Sequence, residues 1–341
     1  MGQKKEVKLE DIATELGVSV VSVFNALKGK KGVSENLRLR IHKKAAELGY
    51  QLPKEEKKKE QASYRIGVLV AERYVKEYPS FYMDVYKCIA QETAKKGSIT
   101  VLEVVDAQKE SLQQESAIFD EVNIDGILIL GEMKHRYLKH VRMRCTLPVL
   151  CVDFYNADDG MDYIVTDSYK GIQLVTKHLI DAGHREIGFV GNPWATGSIM
   201  DRYMGYCKAL MAEGIEERAE WVIHDRNSDG YGYVIDFELP ETLPGAFVCN
   251  CDKSAYILIE KLAKRGLCVP DDISVAGFDH FAAKSFEDIT LTTYESDKKA
   301  MAHISVSTLL KRIEGRGKPE GVRIVEGTLI EGNTVKKREG R

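Results

Sequence analysis

The sequence predicts a small all-α head joined to a larger α/β body. The head prediction rests on three short runs of apolar residues at helical spacing within residues 9–50. The body prediction rests on strand and helix patterns that alternate from Tyr64 onwards. Charge separates the two parts, because residues 1–52 carry ten Lys and Arg against six Asp and Glu. The head is therefore basic. The whole chain has a net charge of −3, so the other 289 residues together are acidic.

Three helices are predicted in the head. Apolar residues over 9–16 recur at i, i+3, i+4 and i+7, Gly17 ends this helix, and Ser19 caps a second helix that follows directly. Ser34 caps a third helix, which ends at Gly49. Two short helices joined by a glycine-containing turn form a helix-turn-helix. Periodicity alone also fits a plain three-helix bundle, but the basic charge favours contact with phosphates.

The second helix is the candidate DNA reader. Its first residues, Val20, Val21 and Ser22, are expected at base edges in the major groove. Val20 and Val21 can contact thymine methyl groups but donate no hydrogen bond, whereas Asn25 can pair bidentately with adenine. Phosphate contacts, which position the head without reading sequence, are expected from Ser22, Lys30, Lys31 and Asn36.

The body alternates between strands and helices, which predicts two doubly wound parallel-sheet halves that face each other. Its first strand, Arg65–Ala71, is almost continuously apolar, as expected of a strand buried on both faces. The further predicted strands are 99–105, 126–130, 149–153, 164–167, 187–190, 221–224, 246–249 and 273–277. The predicted helices are 81–96, 111–122, 135–144, 169–182, 199–213, 253–265 and 296–313.

A ligand is expected in a cleft between the two halves, because ligands bind beyond the carboxyl ends of parallel strands. Carboxylates and one guanidinium near these ends can grip vicinal hydroxyls or a carboxylate. These side chains are Asp153, Asp167, Asp252, Asp279 and Arg202. Aromatic faces for stacking are expected from Phe81, Tyr82, Trp194 and Tyr231. Asp167 and Asp252 fit helix caps equally well, and Trp194 fits a loop plug.

Several function classes lack their sequence signals. The first strand is not followed by GxGxxG, and the chain has no Walker A, HExxH or GxSxG motif, so we expect no enzyme and no cofactor. The seven Cys are scattered, which predicts reduced thiols rather than disulfides or a metal site. No apolar run approaches the roughly 18 residues of a membrane span, and the first residues show no signal peptide, so we expect a cytoplasmic protein.

Four stretches of the head, Leu9-Glu-Asp-Ile-Ala, Gly17-Val-Ser, Val33-Ser and Glu47-Leu-Gly-Tyr50, resemble the headpiece of the LacI/GalR family of transcriptional regulators. The body continues the resemblance over residues 183–189, 269–279 and 291–293, so it covers the whole chain. It implies a repressor that acts as a homodimer on a pseudo-palindromic double-stranded DNA operator. It further implies a type I periplasmic-binding-protein-like body and a small polar effector, a sugar or sugar derivative.

The resemblance also implies the domain boundaries. The chain would cross between the halves near Thr166, Leu291 and Gly321. The domains are then a DNA-binding head (1–52), a polar linker (53–63) and an effector-binding and dimerisation body (64–341). Within the body, one half comprises about 64–165 and 292–320, and the other comprises about 166–291 and 321–341.

This sequence departs from the family pattern at several positions. Many members have Ser or Thr in place of Phe24, Arg in place of Asn25, and Asn-Asp in place of Cys251-Asp252. The family's linker often folds on DNA into a hinge helix with a Leu wedge, whereas residues 54–61 contain no apolar residue. Either Leu52 takes the wedge role or the linker is a tether, and the sequence favours the tether.

The resemblance implies that Arg202 and Asp279 are the strongest candidates for effector binding, because their flanking residues match the family's motif. Two alternatives remain at this point. One is a solute-binding protein with the same body, which the head and the missing signal peptide disfavour. The other is a body that senses nothing and only dimerises.

Overall fold

The computed structural model describes residues 7–50, 63–76, 80–114, 118, 123–156, 161–226, 237–281 and 288–338. The chain divides into two compact units, 1–61 and 62–341. The first unit contains the predicted head and the second contains the predicted body. Across the described ranges, no helix is both long enough and apolar enough to cross a lipid bilayer.

The first unit is a three-helix head with helices α1 (Leu9–Leu16), α2 (Val20–Leu27) and α3 (Glu35–Leu48). All three predicted helices are therefore present. Ile12, Val23 and Ile41, one from each helix, are completely buried and form its core. Gly17 ends α1 with φ +63°, a left-handed conformation that would strain any other L residue.

The second unit contains two six-stranded sheets. The first sheet has the order β11-β5-β4-β3-β1-β2, with all neighbours parallel. Helices on both of its faces complete what we term the first lobe. Its strands are β1 (Arg65–Ala71), β2 (Ile99–Val105), β3 (Gly126–Leu130), β4 (Val149–Val152), β5 (Asp162–Thr166) and β11 (Val322–Val325). Its helices are α4 (Phe81–Lys95), α5 (Ala107–Leu112), α6 (His135–Arg144) and α10 (Lys298–Ile313).

The second sheet has the order β12-β10-β9-β8-β6-β7 and is parallel except for the pair β10–β12. With its helices it forms the second lobe. Its strands are β6 (Ile187–Val190), β7 (Val222–Ile223), β8 (Ala246–Cys249), β9 (Ser274–Asp279), β10 (Thr292–Glu295) and β12 (Thr328–Ile330). Its helices are α7 (Ser168–Asp181), α8 (Gly197–Ala212) and α9 (Asp252–Lys264).

Each sheet is buried on both faces, as the apolar strands predict. In β1, Ile66, Val68 and Val70 pack into one core with α4 and α10, whereas Leu69 and Ala71 pack into the core on the other face with α6. This two-sided burial requires the uninterrupted apolar pattern of a doubly wound sheet. The prediction of an α/β body with two such sheets is confirmed.

The points where the chain crosses between lobes differ from the expectation. The crossing near Thr166 is present, since β5 ends there and α7 packs in the second lobe. However, β10 belongs to the second sheet and β11 to the first. The crossings expected near Leu291 and Gly321 therefore follow Glu295 and Val325 instead. Sequence patterns locate a strand but do not show which sheet it joins, because that depends on long-range pairing.

The helix predicted at 111–122 also differs. The observed α5 begins at Ala107, because Asp106 caps it by accepting the Lys109 N–H at 2.7 Å. Residues 115–117 and 119–122 lie outside the described residues. The remaining predicted helices agree with the observed ones within about two residues at each end.

Candidate nucleic-acid interface and ligand cleft

The first turn of α2 is fixed by a side-chain cap. Ser19 accepts the Ser22 N–H at 3.1 Å, and the hydroxyl groups of the two serines lie 2.9 Å apart. The cap holds the start of α2 in one conformation and draws the Ser22 hydroxyl toward the helix end. Ser22, expected at both a base edge and a phosphate, is half-buried there, so the adjacent valines are the more prominent groups of this turn.

The exposed face of α2 is largely apolar. Val20 is 36% exposed, Val21 67% and Phe24 38%, whereas Val23 is completely buried in the core of the head. Residues four apart lie above one another on a helix, so Val20 and Phe24 form one column and Val21 and Asn25 form a second. The predicted readers Val20, Val21 and Asn25 thus share a single face of the head.

The predicted phosphate-binding residues surround the connection from α2 to α3. Lys30, Lys31 and Asn36 are exposed, and the Lys30 ammonium lies 5.1 Å from the centroid of the Phe24 ring. At this distance the cation interacts favourably with the ring and stays next to the apolar face. The two lysines place positive charge next to α2, as phosphate contact requires.

Arg38 is a positioning residue that sequence reasoning missed. Its guanidinium donates to the Ala26 carbonyl at 3.0 Å and to the Lys30 carbonyl at 2.7 Å. These carbonyls belong to the end of α2 and the following turn, so one planar side chain fixes both. The basic charge of the head was the available signal, but charge alone does not distinguish a clamp from a phosphate contact.

The expected linker lies almost entirely outside the described residues. This applies to Leu52 and to all but the last residue of 53–63. The choice between a wedge and a tether therefore stays a prediction.

Arg202 lies where the expected ligand cleft would be, because its charge acts on Asp153 of the first lobe. It projects from α8 and is 5% exposed. Its Nη1 donates to the Asn250 carbonyl at 2.7 Å, its Nη2 lies 3.3 Å from Asp279 Oδ1, and its Nε lies 3.3 Å from Ser168 Oγ. The guanidinium carbon lies 4.0 Å from the centroid of the Phe278 ring. Pairing and stacking fix the orientation of the planar donor, as a ligand-binding arginine requires.

Asp153 and Asp279 bring two carboxylates to the same cleft. Asp153 ends the strand region of β4 in the first lobe, and Tyr82 donates a 3.0 Å hydrogen bond to it. Burial raises the pKa of Asp153 to about 6, although the Arg202 charge opposes the shift. Burial likewise raises the pKa of Asp279, which ends β9 in the second lobe. Both aspartates have positive φ, +68° and +98°, a strained conformation that is frequent at functional sites.

Asp252 is committed to contacts within the second lobe. Its carboxylate accepts the Phe281 N–H and the Thr293 hydroxyl, each at 2.6 Å. These bonds tie the start of α9 to β10 and to the residues after β9. Burial raises the pKa of Asp252 well above its usual range. A hydrogen at the α-carbon of Gly277 leaves room for this carboxylate, since a Cβ there would overlap Asp252 Oδ1.

The remaining predicted ligand residues are one aspartate and three aromatic residues, and each has a different environment. Asp167 caps α7 by accepting the Lys170 N–H at 3.0 Å, the alternative foreseen for it. Phe81 is half-buried, and the Lys298 ammonium lies 5.5 Å from the centroid of its ring. Trp194 is 78% exposed. Tyr231 lies outside the described residues.

A buried network beside Arg202 was missed by sequence reasoning. Arg226 donates to both oxygens of Asp225, at 2.9 and 2.8 Å, and Asn250 donates to Asp225 Oδ2 at 2.6 Å. Burial alone would raise the pKa of Asp225, but the Arg226 charge and these hydrogen bonds hold it below its usual range. The network fixes the same Asn250 whose carbonyl orients Arg202. Adjacent opposite charges are common on protein surfaces, so the sequence held no sign of this burial.

Glu132 and Tyr155 of the first lobe form hydrogen bonds with α8 of the second. Glu132 of the first lobe accepts the Gly197 N–H, the first of α8, at 3.2 Å. Tyr155 of the first lobe lies 3.1 Å from each carboxylate oxygen of Asp201. Burial raises the pKa of Glu132, and a carboxylate at a helix N-terminus interacts favourably with the helix dipole. Helix α8 therefore provides Arg202 to the cleft and also connects the two lobes.

The arrangement suits a polar ligand. The cleft offers an oriented guanidinium and two carboxylates, which together can accept from and donate to neighbouring hydroxyls. Within the described part of the chain, no three His, Cys, Asp or Glu side chains are grouped as metal ligands.

Comparison with known proteins gives two family matches. Residues 8–52 match the family described as bacterial regulatory proteins, lacI family. Residues 176–335 match the periplasmic binding protein-like domain. The chain is 26% identical to a transcriptional repressor PurR from Glaesserella parasuis, over 90% of both chains. It is also 26% identical to a ribose operon repressor from Haemophilus influenzae, over 94% of this chain and 96% of the relative.

Solved structures show the same fold. A CelR transcriptional regulator in complex with cellobiose aligns with a TM-score of 0.68 at 20% identity, over 96% of this chain and 99% of the other. The lac repressor dimer bound to operator and an anti-inducer aligns with a TM-score of 0.65 at 22% identity, over 97% of this chain and all of the other.

Proposed function

Because this chain belongs to the LacI family of transcriptional regulators, we propose that it is a repressor whose operator affinity depends on a small polar effector bound between its two lobes. We assign residues 1–52 to DNA binding, 53–63 to a linker and the remainder to effector binding and dimerisation. A regulator of operator DNA works in the cytoplasm. Its relatives are DNA-binding regulators, which supports regulation rather than catalysis.

The observation that carries this proposal is the Arg202–Asp279 pair with Asp153 opposite. Arg202 and Asp279 belong to the second lobe and Asp153 to the first, so one ligand between them contacts both lobes. A ligand that bridges the two lobes changes the stability of their closed arrangement relative to their open arrangement. Ligand binding then shifts the population between states with different DNA affinity.

The composition of the cleft favours a polyhydroxylated effector. Two carboxylates accept hydrogen bonds from vicinal hydroxyls, and Arg202 donates to a ring or hydroxyl oxygen. Tyr82 and Phe81 add aromatic surface against which a sugar ring packs. A sugar or sugar derivative therefore suits the site, in keeping with the ribose operon repressor and the cellobiose complex among the similar proteins.

The lac repressor, whose solved structure is similar to this chain, is a dimer, which supports a homodimer here. Two heads related by a two-fold axis require a pseudo-palindromic operator, because each head reads one half-site. Movement of the lobes alters how the two heads are presented to the half-sites.

The function is tested with the full-length protein in two steps. Operator selection from random duplexes at moderate salt should enrich one pseudo-palindromic sequence. A thermal-shift screen with monosaccharides, disaccharides and nucleosides should then identify a stabilising ligand, because a ligand that binds the folded state raises Tm. That ligand should change operator affinity. If no duplex is preferred over random DNA with or without these metabolites, the proposed function is wrong.

The alternative of a solute-binding protein predicts a stabilising ligand without operator selection. The match of residues 8–52 to a DNA-binding family disfavours this alternative. A body that only dimerises predicts the reverse result, operator selection without any stabilising ligand. The two-step experiment therefore distinguishes all three functions.

A further inference from the structure

The apolar face of α2 limits what the head can recognise in DNA. Val20 and Val21 occupy the first turn of α2 and are exposed, and Phe24 extends the column of Val20 by one more turn. None of these three side chains donates or accepts a hydrogen bond. The polar reader on the same face is Asn25, which is half-buried.

A base pair offers one apolar group in the major groove, the methyl group at C5 of thymine. The other groups there are hydrogen-bond donors and acceptors, and an apolar side chain against them removes water without replacing its hydrogen bonds. Two exposed valines in the turn expected to contact bases therefore favour base pairs that contain a C5-methyl pyrimidine over base pairs that do not.

Resting on the proposed repressor function, we propose that Val20 and Val21 read the C5-methyl group of pyrimidines, so that 5-methylcytosine can substitute for thymine at the contacted position. Methylation of cytosine at C5 adds the same apolar group at the same place in the major groove. Operator affinity then depends on the methylation state of the DNA as well as on its sequence.

The geometry of α2 gives the spacing of this readout. Val21 and Asn25 are four residues apart, which is about 6 Å along the helix axis, and successive base pairs are about 3.4 Å apart. The adenine paired by Asn25 is therefore expected one or two base pairs from the methyl group read by Val21. Lys30, held next to the Phe24 ring, keeps a positive charge beside this face.

The test uses the full-length protein and the operator obtained by selection. At each pyrimidine of a half-site, affinity is measured for thymine, uracil, cytosine and 5-methylcytosine. At one or two adjacent positions, replacing thymine by uracil should weaken binding about four-fold, the effect of losing one buried methyl group. At the same positions, 5-methylcytosine should bind about four-fold more tightly than cytosine.

Variants assign the readout to the valines. Val21→Ser should bind thymine and uracil operators equally at one position, whereas Val21→Thr, which keeps a methyl group, should retain the difference. Asn25→Ala is the matched control, because it should weaken binding to both operators by the same factor. If the serine variants of Val20 and Val21 both keep the thymine preference, the assignment to these residues is wrong.

The two levels of the proposal fail differently. Equal affinity of the parent protein for thymine and uracil at every position of a selected operator overturns the methyl readout but leaves the repressor function intact. Failure of the selection to enrich any sequence overturns the repressor function itself.

Discussion

Burial raises the pKa of Asp153, and this shift makes the stability of the protein depend on pH. Its pKa of about 6 lies above the ordinary value of 3.8, and burial is the main cause. Between these two values the folded protein binds more protons than the unfolded chain, so the free energy of unfolding falls as pH rises through this window. The carboxylate thus costs stability at neutral pH, which is typical of a group retained for ligand binding.

Asp153→Asn should remove this cost. The amide oxygen can still accept the Tyr82 hydrogen bond, and the side chain at position 153 is then uncharged at every pH. We expect the variant to gain at most about 3 kcal/mol over the parent at pH 7.5 and little at pH 4. Urea unfolding at both pH values measures the difference, with exposed Asp181→Asn as the control. An equal gain at both pH values would contradict the assignment.

Arg202→Ala should uncouple effector from operator. The substitution removes the oriented donor and leaves Asp279 without its 3.3 Å partner, while the head is unchanged. Operator affinity without effector should stay within about two-fold of the parent, and the response to the screened ligand should fall at least ten-fold. Gel-shift titrations with and without ligand measure both quantities. Arg136→Ala, an exposed arginine on α6, should respond as the parent does.

At the scale of elements, Arg38 ties the end of α2 to the turn that follows it. Arg38→Ala removes the guanidinium from both carbonyls, leaves the Ala26 carbonyl with the backbone N–H of Gly29, and should loosen the turn between α2 and α3. We expect faster amide exchange over residues 26–31 and a loss of about 1–3 kcal/mol in the stability of the head. Hydrogen exchange of the full-length protein measures this. Exposed Arg40→Ala is the control, and unchanged exchange in Arg38→Ala would show that the clamp is not needed.

Helix α8 is connected to the first lobe through the Glu132 side chain. Removal of this side chain should weaken the connection. Glu132→Ala removes the acceptor of the Gly197 N–H, so amide exchange at the start of α8 should accelerate several-fold and the lobes should open more readily. Glu132→Gln retains an acceptor oxygen and should have a smaller effect. Hydrogen exchange of residues 196–203 without effector makes the comparison, with exposed Glu186→Ala as a control. Equal exchange in all variants would refute the connection.

At the scale of the whole molecule, the residues proposed for DNA recognition and those proposed for ligand recognition lie in separate units. The candidate readers lie within 1–61, whereas Asp153, Arg202 and Asp279 lie within 62–341. This separation lets one unit change its partner without rebuilding the other. It also explains why the charges separate so clearly, since DNA contact requires a basic surface only on the head.

Deletion of residues 1–52 should therefore abolish operator binding and preserve ligand binding. The body keeps both sheets and every described cleft residue, so the Tm shift with the screened ligand should match that of the full-length protein. Gel shift and thermal shift on the same preparation measure the two properties. Loss of the ligand-induced Tm shift would mean that the cleft depends on the head.

The sequence by itself determined the class of every layer and indicated candidate site residues. Apolar spacing predicted the three helices of the head and strands β1 to β9 of the two buried sheets, because helical and strand periodicities are local properties. Val20 and Val21 were proposed from their place in the first turn of α2, and Arg202 and Asp279 from the family resemblance of their flanking residues; their roles stay predictions.

Tertiary structure alone decided which strands share a sheet and what each polar side chain contacts. The placement of β10 and β11, the Asp225–Arg226–Asn250 network and the commitment of Asp252 to its own lobe all depend on residues distant in the chain. The same holds for the pKa of Asp153, because burial is set by the completed fold. Local patterns carry no record of such contacts, whose partners meet only when the chain is folded.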